Sequence, residues 1–257
     1  MPRAIPPLPD STILVVEVGS TAHGTGLPGG EDRDEMAVVV ERVEDLLGLR
    51  SDEGGLRTVM HRTQPEGVRS GPGDIDRTVF SLRRFIRLAV SGNPSVLMVL
   101  WAPVIDVTTD GEQLRALGSC FIGRHVIPRY RGYMQGQALR LFGLRGSSGH
   151  GRRAGARSEL VTQHGYDTKY AMHCARLGFQ CVELLTTGRL TLPIPGKIGE
   201  WLTAVRRGDV PFDEWWERAL SLDSQLAQIE HDASIRAGPD ADAIEAWSIA
   251  THLRHWC

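Results

Sequence analysis

The stretch "VGSTAHGTGLPGGEDRDEMAVVV", residues 18–40, decides the fold. It closes one β-branched run, turns through Gly19 and Ser20, crosses a glycine-rich loop, and enters a second run behind Asp32 and Asp34. The flanking segments "STILVVEVG" (11–19) and "EMAVVVERV" (35–43) read as buried strands, since short β-branched runs bounded by glycine and polar residues suit a sheet interior. A Gly-Ser directly after a strand lets the backbone approach a phosphate closely. If a helix starts there, its free N–H groups and the Ser20 hydroxyl point at the anion. Strand alternation turns Arg33 away and sends the carboxylates of Asp32 and Asp34 to one side, where they repel each other unless a divalent cation sits between them. Magnesium, or manganese in its place, suits such oxygen donors and leaves room for water and substrate phosphates.

The same spacing returns in "GDIDRTVF" (73–80), an alternating segment expected to be a strand, as Asp74 and Asp76. If that strand lies beside the one after Asp34, one of the two acids joins Asp32 and Asp34 to hold two ions about 4 Å apart, the arrangement that steadies attacking and leaving oxygens in phosphoryl transfer. Residues 49–73 are polar and rich in glycine and proline, a surface excursion in which "LRTVMHRTQ" is at most a weak strand. The period then changes. In "SLRRFIRLAV", Leu82, Phe85, Ile86 and Ala89 make one helical stripe behind Ser81 as cap, while Arg83 and Arg87, one turn apart, face either a triphosphate or solvent. A second helix starts at Asn93, a cap, with Pro94 in the first helical position. From about residue 111 the pattern is helical, so the chain divides into an α/β unit over 1–110 and a helical unit over 111–257.

The 257 residues carry a net charge of −2, which excludes a protein that holds nucleic acid through its total charge. No apolar run approaches the ~20 residues of a membrane span, and the Pro-rich start lacks the apolar core of a signal peptide, so a cytoplasmic address without membrane contact is expected. Cys120, Cys174, Cys181 and Cys257 have no metal-binding spacing and read as reduced thiols. The charges are uneven: Gln113 to Ser158 contains no acid and nine arginines. Within that segment Arg129, Tyr130 and Arg131 combine phosphate partners with a stacking face, a set suited to single-stranded nucleic acid, with aromatic core packing as the competing explanation. Arg145, Arg152, Arg153 and Arg157 lie in "RGSSGHGRRAGARS" (145–158), either a hinge or a phosphate grip that orders on binding.

A second constellation lies in "HGYDTKYAMHCARLGFQCVELL" (164–185), a helix opening near Asp167. Lys169, His173 and Arg176 share one of its faces just after Tyr166, and three potential cations so placed repel one another unless an anion such as a triphosphate or an RNA phosphate is near. The alternative is a solvated helix face, and for His173 and His23 a structural role competes with a phosphate contact.

Taken together, "VGSTAHGTGLPGGEDRDEMAVVV", "DIDRTVFSLRRFIRLAVSGNPSVLMVLWAP", "RYRGYMQGQALRL" and "HGYDTKYAMHCARL" resemble, in order and over nearly the whole chain, a family of DNA polymerase beta-like nucleotidyltransferases associated with RNA repair. The resemblance implies an α+β protein: a small mixed-sheet nucleotidyltransferase domain followed by a helical domain that binds nucleotide. It implies that Gly19 and Ser20 bind nucleotide phosphates, that Asp32 and Asp34 ligate magnesium, and that the third carboxylate is Asp76, with Asp74 next in line. The implied reaction moves NMP from an NTP, ATP or CTP foremost, to a hydroxyl of an RNA end, tRNA among the candidates. A protein or small-molecule acceptor, or a nucleotide-binding regulator without turnover, are the alternatives. Glu31 stands where the family commonly has serine, and Met98 where "NPxxLExL" would have glutamate; neither is a proposed ligand, and the second bears on the substrate pocket.

Overall fold

The strands that the sequence places around Gly19 and Asp34 become β1 (Thr12–Glu17) and β2 (Arg33–Val39), joined by the short helix α1 (Gly19–His23). The computed structural model describes residues 4–26, 32–49, 57–65, 67–68, 70–144 and 157–257. After α2 (Val43–Leu47) come β3 (Thr58–Arg62) and β4 (Ile75–Ser81), then α3 (Leu82–Val90), α4 (Pro94–Leu97) and β5 (Val104–Val107). The sheet order is β3-β4-β2-β1-β5. It is mixed: β2 and β4 run parallel, and every other pair is antiparallel. This is an α+β protein, as expected.

The parallel pair follows from the long excursion between β2 and β4, since parallel neighbours need a crossover and cannot be joined by a tight turn. Burial follows composition. Leu14, Val15 and Val16 of β1 and Ala37 and Val38 of β2 are buried on the sheet axis, while the edge strand β3 exposes Val59 and Met60. Asn93 caps α4 as expected, its side chain accepting from the N–H groups of Ser95 and Val96. Strand β5, in "WAPVIDV", was not anticipated. It is short, mostly exposed and follows a proline, so its pattern is weak, and it pairs with the edge of β1 that β2 leaves open.

The remaining helices are α5 (Thr109–Ala116), α6 (Ile127–Leu141), α7 (Ser158–His164), α8 (Thr168–Thr187), α9 (Gly196–Arg207), α10 (Phe212–Glu230) and α11 (Ala241–Trp256). Two compact units emerge, Met1–Phe121 with Thr191–Pro193 and Pro239–Cys257, and Ile122–Leu190 with Ile194–Gly238. The single boundary drawn near 110 therefore differs from this division, because α11 returns to the sheet unit. The return is made by polar contacts that are far apart in sequence. Trp256 Nε1 donates to the Glu41 carbonyl (2.8 Å), and the buried His252 meets the Glu41 carboxylate through Nε2 (3.1 Å).

In the second unit α8 is the axis, lined by α6, α9 and α10. Asp167 caps α8, accepting from the Lys169 and Tyr170 N–H groups. Trp215 is fully buried and its indole N–H donates to the Ala171 carbonyl (2.9 Å), a satisfied polar handle in an apolar core. Among the described residues no helix is long and apolar enough to cross a membrane.

Candidate active site

The site begins at the turn between β1 and α1. Gly19 has φ +73°, a conformation that residues with a Cβ adopt at a cost, and a Cβ built there would overlap Asp34 Oδ2. Glycine is thus needed twice over, for the backbone angle and for the approach of the Asp34 side chain. The Val18 N–H donates to the Asp34 carbonyl (2.9 Å), which ties the Gly-Ser turn to the head of β2. Ser20 follows in the first turn of α1, half-buried, and His23 at the end of that helix is buried.

The register of the parallel pair puts Asp34 directly beside Asp76. Asp32, Asp34 and Asp76 each offer one carboxylate oxygen, and these oxygens lie within 4.8 Å of one another. Three hard, half-buried oxygen donors at that separation fit a divalent ion of the magnesium type. Alternation sends Glu35 to the opposite face of β2. There it is buried, with Arg33 Nε at 2.8 Å and Arg77 Nε at 2.7 Å. The charges of the strand are thereby sorted, acids toward the cluster and ion pairs behind it.

Asp74 and Asp76 part company. The Asp74 carboxylate accepts from the Gly71 N–H (2.9 Å), the Thr63 hydroxyl (2.8 Å) and the Gln64 amide (3.0 and 3.1 Å). These bonds, led by that of Gly71, hold its pKa below the ordinary carboxylate range. Asp74 is the organiser of the loop entering β4 and is not part of the cluster.

Two residues that the sequence did not bring forward touch the third acid. Arg62, on β3 opposite Asp76 in the antiparallel register, places Nε 3.1 and 3.0 Å from the two Asp76 oxygens, and the Ser70 hydroxyl donates to Oδ1 (3.0 Å). The signal for Arg62 was present in "LRTVMHRTQ", which pairs it with Asp76 once a hairpin is drawn to the next strand. For Ser70 there was none.

Several expected site residues are placed elsewhere. Arg83 and Arg87 follow the end of β4, about 17 Å of extended strand from Asp76. They line an apolar groove of about 560 Å³ with Ile86, Ile244 and Trp256, and the Arg83 N–H donates to the Glu41 carboxylate. Tyr166 is buried, its hydroxyl donating to the Val210 carbonyl (2.7 Å) and its ring edge-on to Phe212, so it is a core residue of the helical unit. Tyr130 is fully buried as well, which corrects its reading as a stacking platform: the competing core-packing explanation holds. Arg131 is engaged by Asp223 and Glu230 (both 2.9 Å), and Arg157 by Asp167 (3.3 Å) and the Tyr170 ring (4.6 Å to its centroid). Arg129 is exposed. Arg145, Arg152 and Arg153, like Glu31, lie outside the described residues.

On α8 the polar stripe is intact but carries less charge than expected. Burial, reinforced by the neighbouring Arg176 and Lys169, pushes His173 well below the ordinary imidazole range, so the ring is neutral at neutral pH. Its Nδ1 lies 3.3 Å from Arg176 Nη2, which donates to it. Burial pulls Arg176 down to about 10, which leaves it charged. Lys169 and Arg176 are the cations of the stripe, with His173 as a neutral partner between them.

A mixed sheet with Asp34 and Asp76 on parallel neighbours and Asp32 just before β2, beside a Gly-Ser turn, is the arrangement expected of a polymerase beta-like nucleotidyltransferase. The chain belongs to the RNA repair pathway DNA polymerase beta family, RlaP, which residues 8–245 match, and it is a nucleotidyltransferase enzyme. A solved nucleotidyltransferase-like protein from Exiguobacterium sibiricum aligns with 86% of this chain and 69% of its own length at 8% identity, with a TM-score of 0.29. Comparison with curated proteins finds no match.

Proposed function

We propose that the enzyme transfers NMP from an NTP, ATP or CTP, to a hydroxyl at an RNA end. The acceptor oxygen bonds to the α-phosphorus, the bond from that phosphorus to the bridging oxygen breaks, and pyrophosphate leaves. The observation that carries this reading is the convergence of Asp32, Asp34 and Asp76 beside Gly19. Asp32 and Asp34 hold Mg2+ or Mn2+, and Asp76 completes the ligand set. The divalent ions, when bound, neutralise the phosphates and lower the pKa of the acceptor hydroxyl. The chain's own part is positioning. The Gly19 backbone and the Ser20 hydroxyl hold phosphate oxygens, and Lys169 and Arg176 are a further phosphate-binding pair, with His173 accepting from Arg176 and keeping its guanidinium oriented.

An RNA acceptor is supported by the acid-free, arginine-rich segment from Gln113 to Ser158 and by the RNA repair description of the family. The test is incubation of the protein with each α-labelled NTP, Mg2+ or Mn2+, and total cellular RNA, beside an Asp32→Ala/Asp34→Ala control. Label entering RNA only with the acids intact, with matching pyrophosphate release, is the expected result. Label in protein or small molecules would replace the acceptor, and label transfer undiminished in the control would remove the acids from the chemistry.

A further inference from the structure

A carboxylate has about four acceptor positions, two on each oxygen. On Asp76 the described residues occupy them unequally. Oδ1 accepts from both Arg62 Nε and the Ser70 hydroxyl, while Oδ2 meets Arg62 Nε alone. We infer that Arg62 and Ser70 are positioning residues that clamp the Asp76 carboxylate in one orientation beside Asp32 and Asp34, with Oδ2 the less occupied of its two oxygens. This rests on the reading of that cluster as a divalent-metal site.

Three observations separate the clamp from an ordinary surface ion pair. Arg62 sits directly across from Asp76 in the β3/β4 register, so the pairing is built into the sheet. The guanidinium has anchors of its own, Nη2 donating to the Ser70 hydroxyl (2.8 Å) and to the Val68 carbonyl (3.2 Å). The network is shielded: the side chains of Arg62 and Asp76 are 25% and 11% exposed, and Ser70 is buried.

The electrostatics then distinguish orientation from affinity. A fixed cation beside a dication site weakens binding of the dication by like-charge repulsion. An arginine here therefore does not serve to attract metal, and its Nη2 bonds to Ser70 and Val68 hold it from the loop after β3 as well. What it supplies is a carboxylate that cannot rotate. Reaction rates are steeply sensitive to ligand placement, so the clamp acts on turnover while costing some cation affinity.

That split is unusual enough to test. Mn2+ binding to the full chain, followed by electron paramagnetic resonance without NTP, is measured beside steady-state pyrophosphate release. Arg62→Met removes charge and clamp together; it is expected to bind Mn2+ about tenfold more tightly and to lose kcat by at least about tenfold, with KM for NTP within about twofold. Arg62→Lys keeps the charge and loses the fork, so Mn2+ affinity stays at the wild-type value while kcat remains low. Ser70→Ala leaves the charge alone and is expected to lower kcat about threefold or more at unchanged Mn2+ affinity. A network that merely stabilises the fold would lower Mn2+ affinity and kcat together, and that result, or unchanged kcat in Ser70→Ala, overturns the inference. If Mn2+ binding is the same in wild type and Asp32→Ala/Asp34→Ala, the metal-site reading fails and this inference with it. If only wild type binds and Arg62→Met binds no more tightly, this inference alone fails.

Discussion

Two Asp-x-Asp pairs with identical spacing meet different fates. Asp32 and Asp34 both enter the carboxylate cluster, whereas of Asp74 and Asp76 only the second does, the first being consumed by the Gly71 N–H, Thr63 and Gln64. Alternation alone would send both members of each pair to one side. Asp32 and Asp74 both stand one residue before their strands, and Asp34 and Asp76 are paired inside the ladder; the difference is that the chain before β4 offers Asp74 the Gly71 N–H, Thr63 and Gln64 as partners. A spacing motif therefore places the residue inside the ladder, while for its neighbour just outside the strand the donors of the adjoining loop decide.

The contrast can be broken or sharpened by substitution, beginning with the cluster itself. Asp34→Asn is expected to lower turnover about 10³-fold, because it removes a charged metal ligand. Retained pyrophosphate release would place the chemistry elsewhere.

Gly19→Ala comes next. It strains a left-handed backbone position by about 1–2 kcal/mol and pushes Asp34 aside, so both urea stability and turnover fall, the latter about 10²-fold by displacement of a ligand. A variant that loses stability but keeps full turnover would show that Asp34 can move without consequence.

Behind the strand, Arg77→Met leaves the buried Glu35 with Arg33 as its remaining partner. A loss of about 2 kcal/mol in denaturant unfolding is expected, with Mn2+ affinity unchanged because Glu35 faces away from the cluster. A matching loss of Mn2+ binding would mean that the two faces of β2 are not independent.

The smallest effect belongs to Asp74→Ala, which should lower Tm and leave Mn2+ affinity intact. Because the folded pKa of Asp74 is depressed by its hydrogen bonds, its stabilisation is complete above the ordinary carboxylate value and is lost as pH falls through the lower folded value. The Tm gap between wild type and variant is therefore expected to be full at neutral pH and to close below about pH 4. A gap that persists at low pH would show that the Asp74 carboxylate is not what holds the loop.

The helical unit was less legible than the sheet, for a reason visible in α8. Its start at Asp167 and its polar stripe were readable, because capping and a 3.6-residue period are local. What the stripe and its neighbours do was not readable, since α6, α9 and α10 close on α8 from other parts of the chain. Their approach buries Tyr130 beside α8, gives the Tyr166 hydroxyl a carbonyl at Val210, and strips His173 of its charge. Arg131 likewise finds acids nearly a hundred residues away, at Asp223 and Glu230. In the sheet unit the same limit hid the return of α11.

By itself the sequence determined what short-range geometry can settle. A strand, a Gly-Ser turn and a second strand place Asp32 and Asp34 together on one side, because side chains alternate every residue and Gly19 is the residue type that tolerates both the turn and the carboxylate against it. Only the tertiary structure decided which acid comes third, that Arg62 and Ser70 hold it, and that Tyr130 and Tyr166 are core. Those outcomes depend on the parallel register of β2 with β4 and on the closure of helices around α8, contacts between segments whose separation along the chain leaves no local pattern to read.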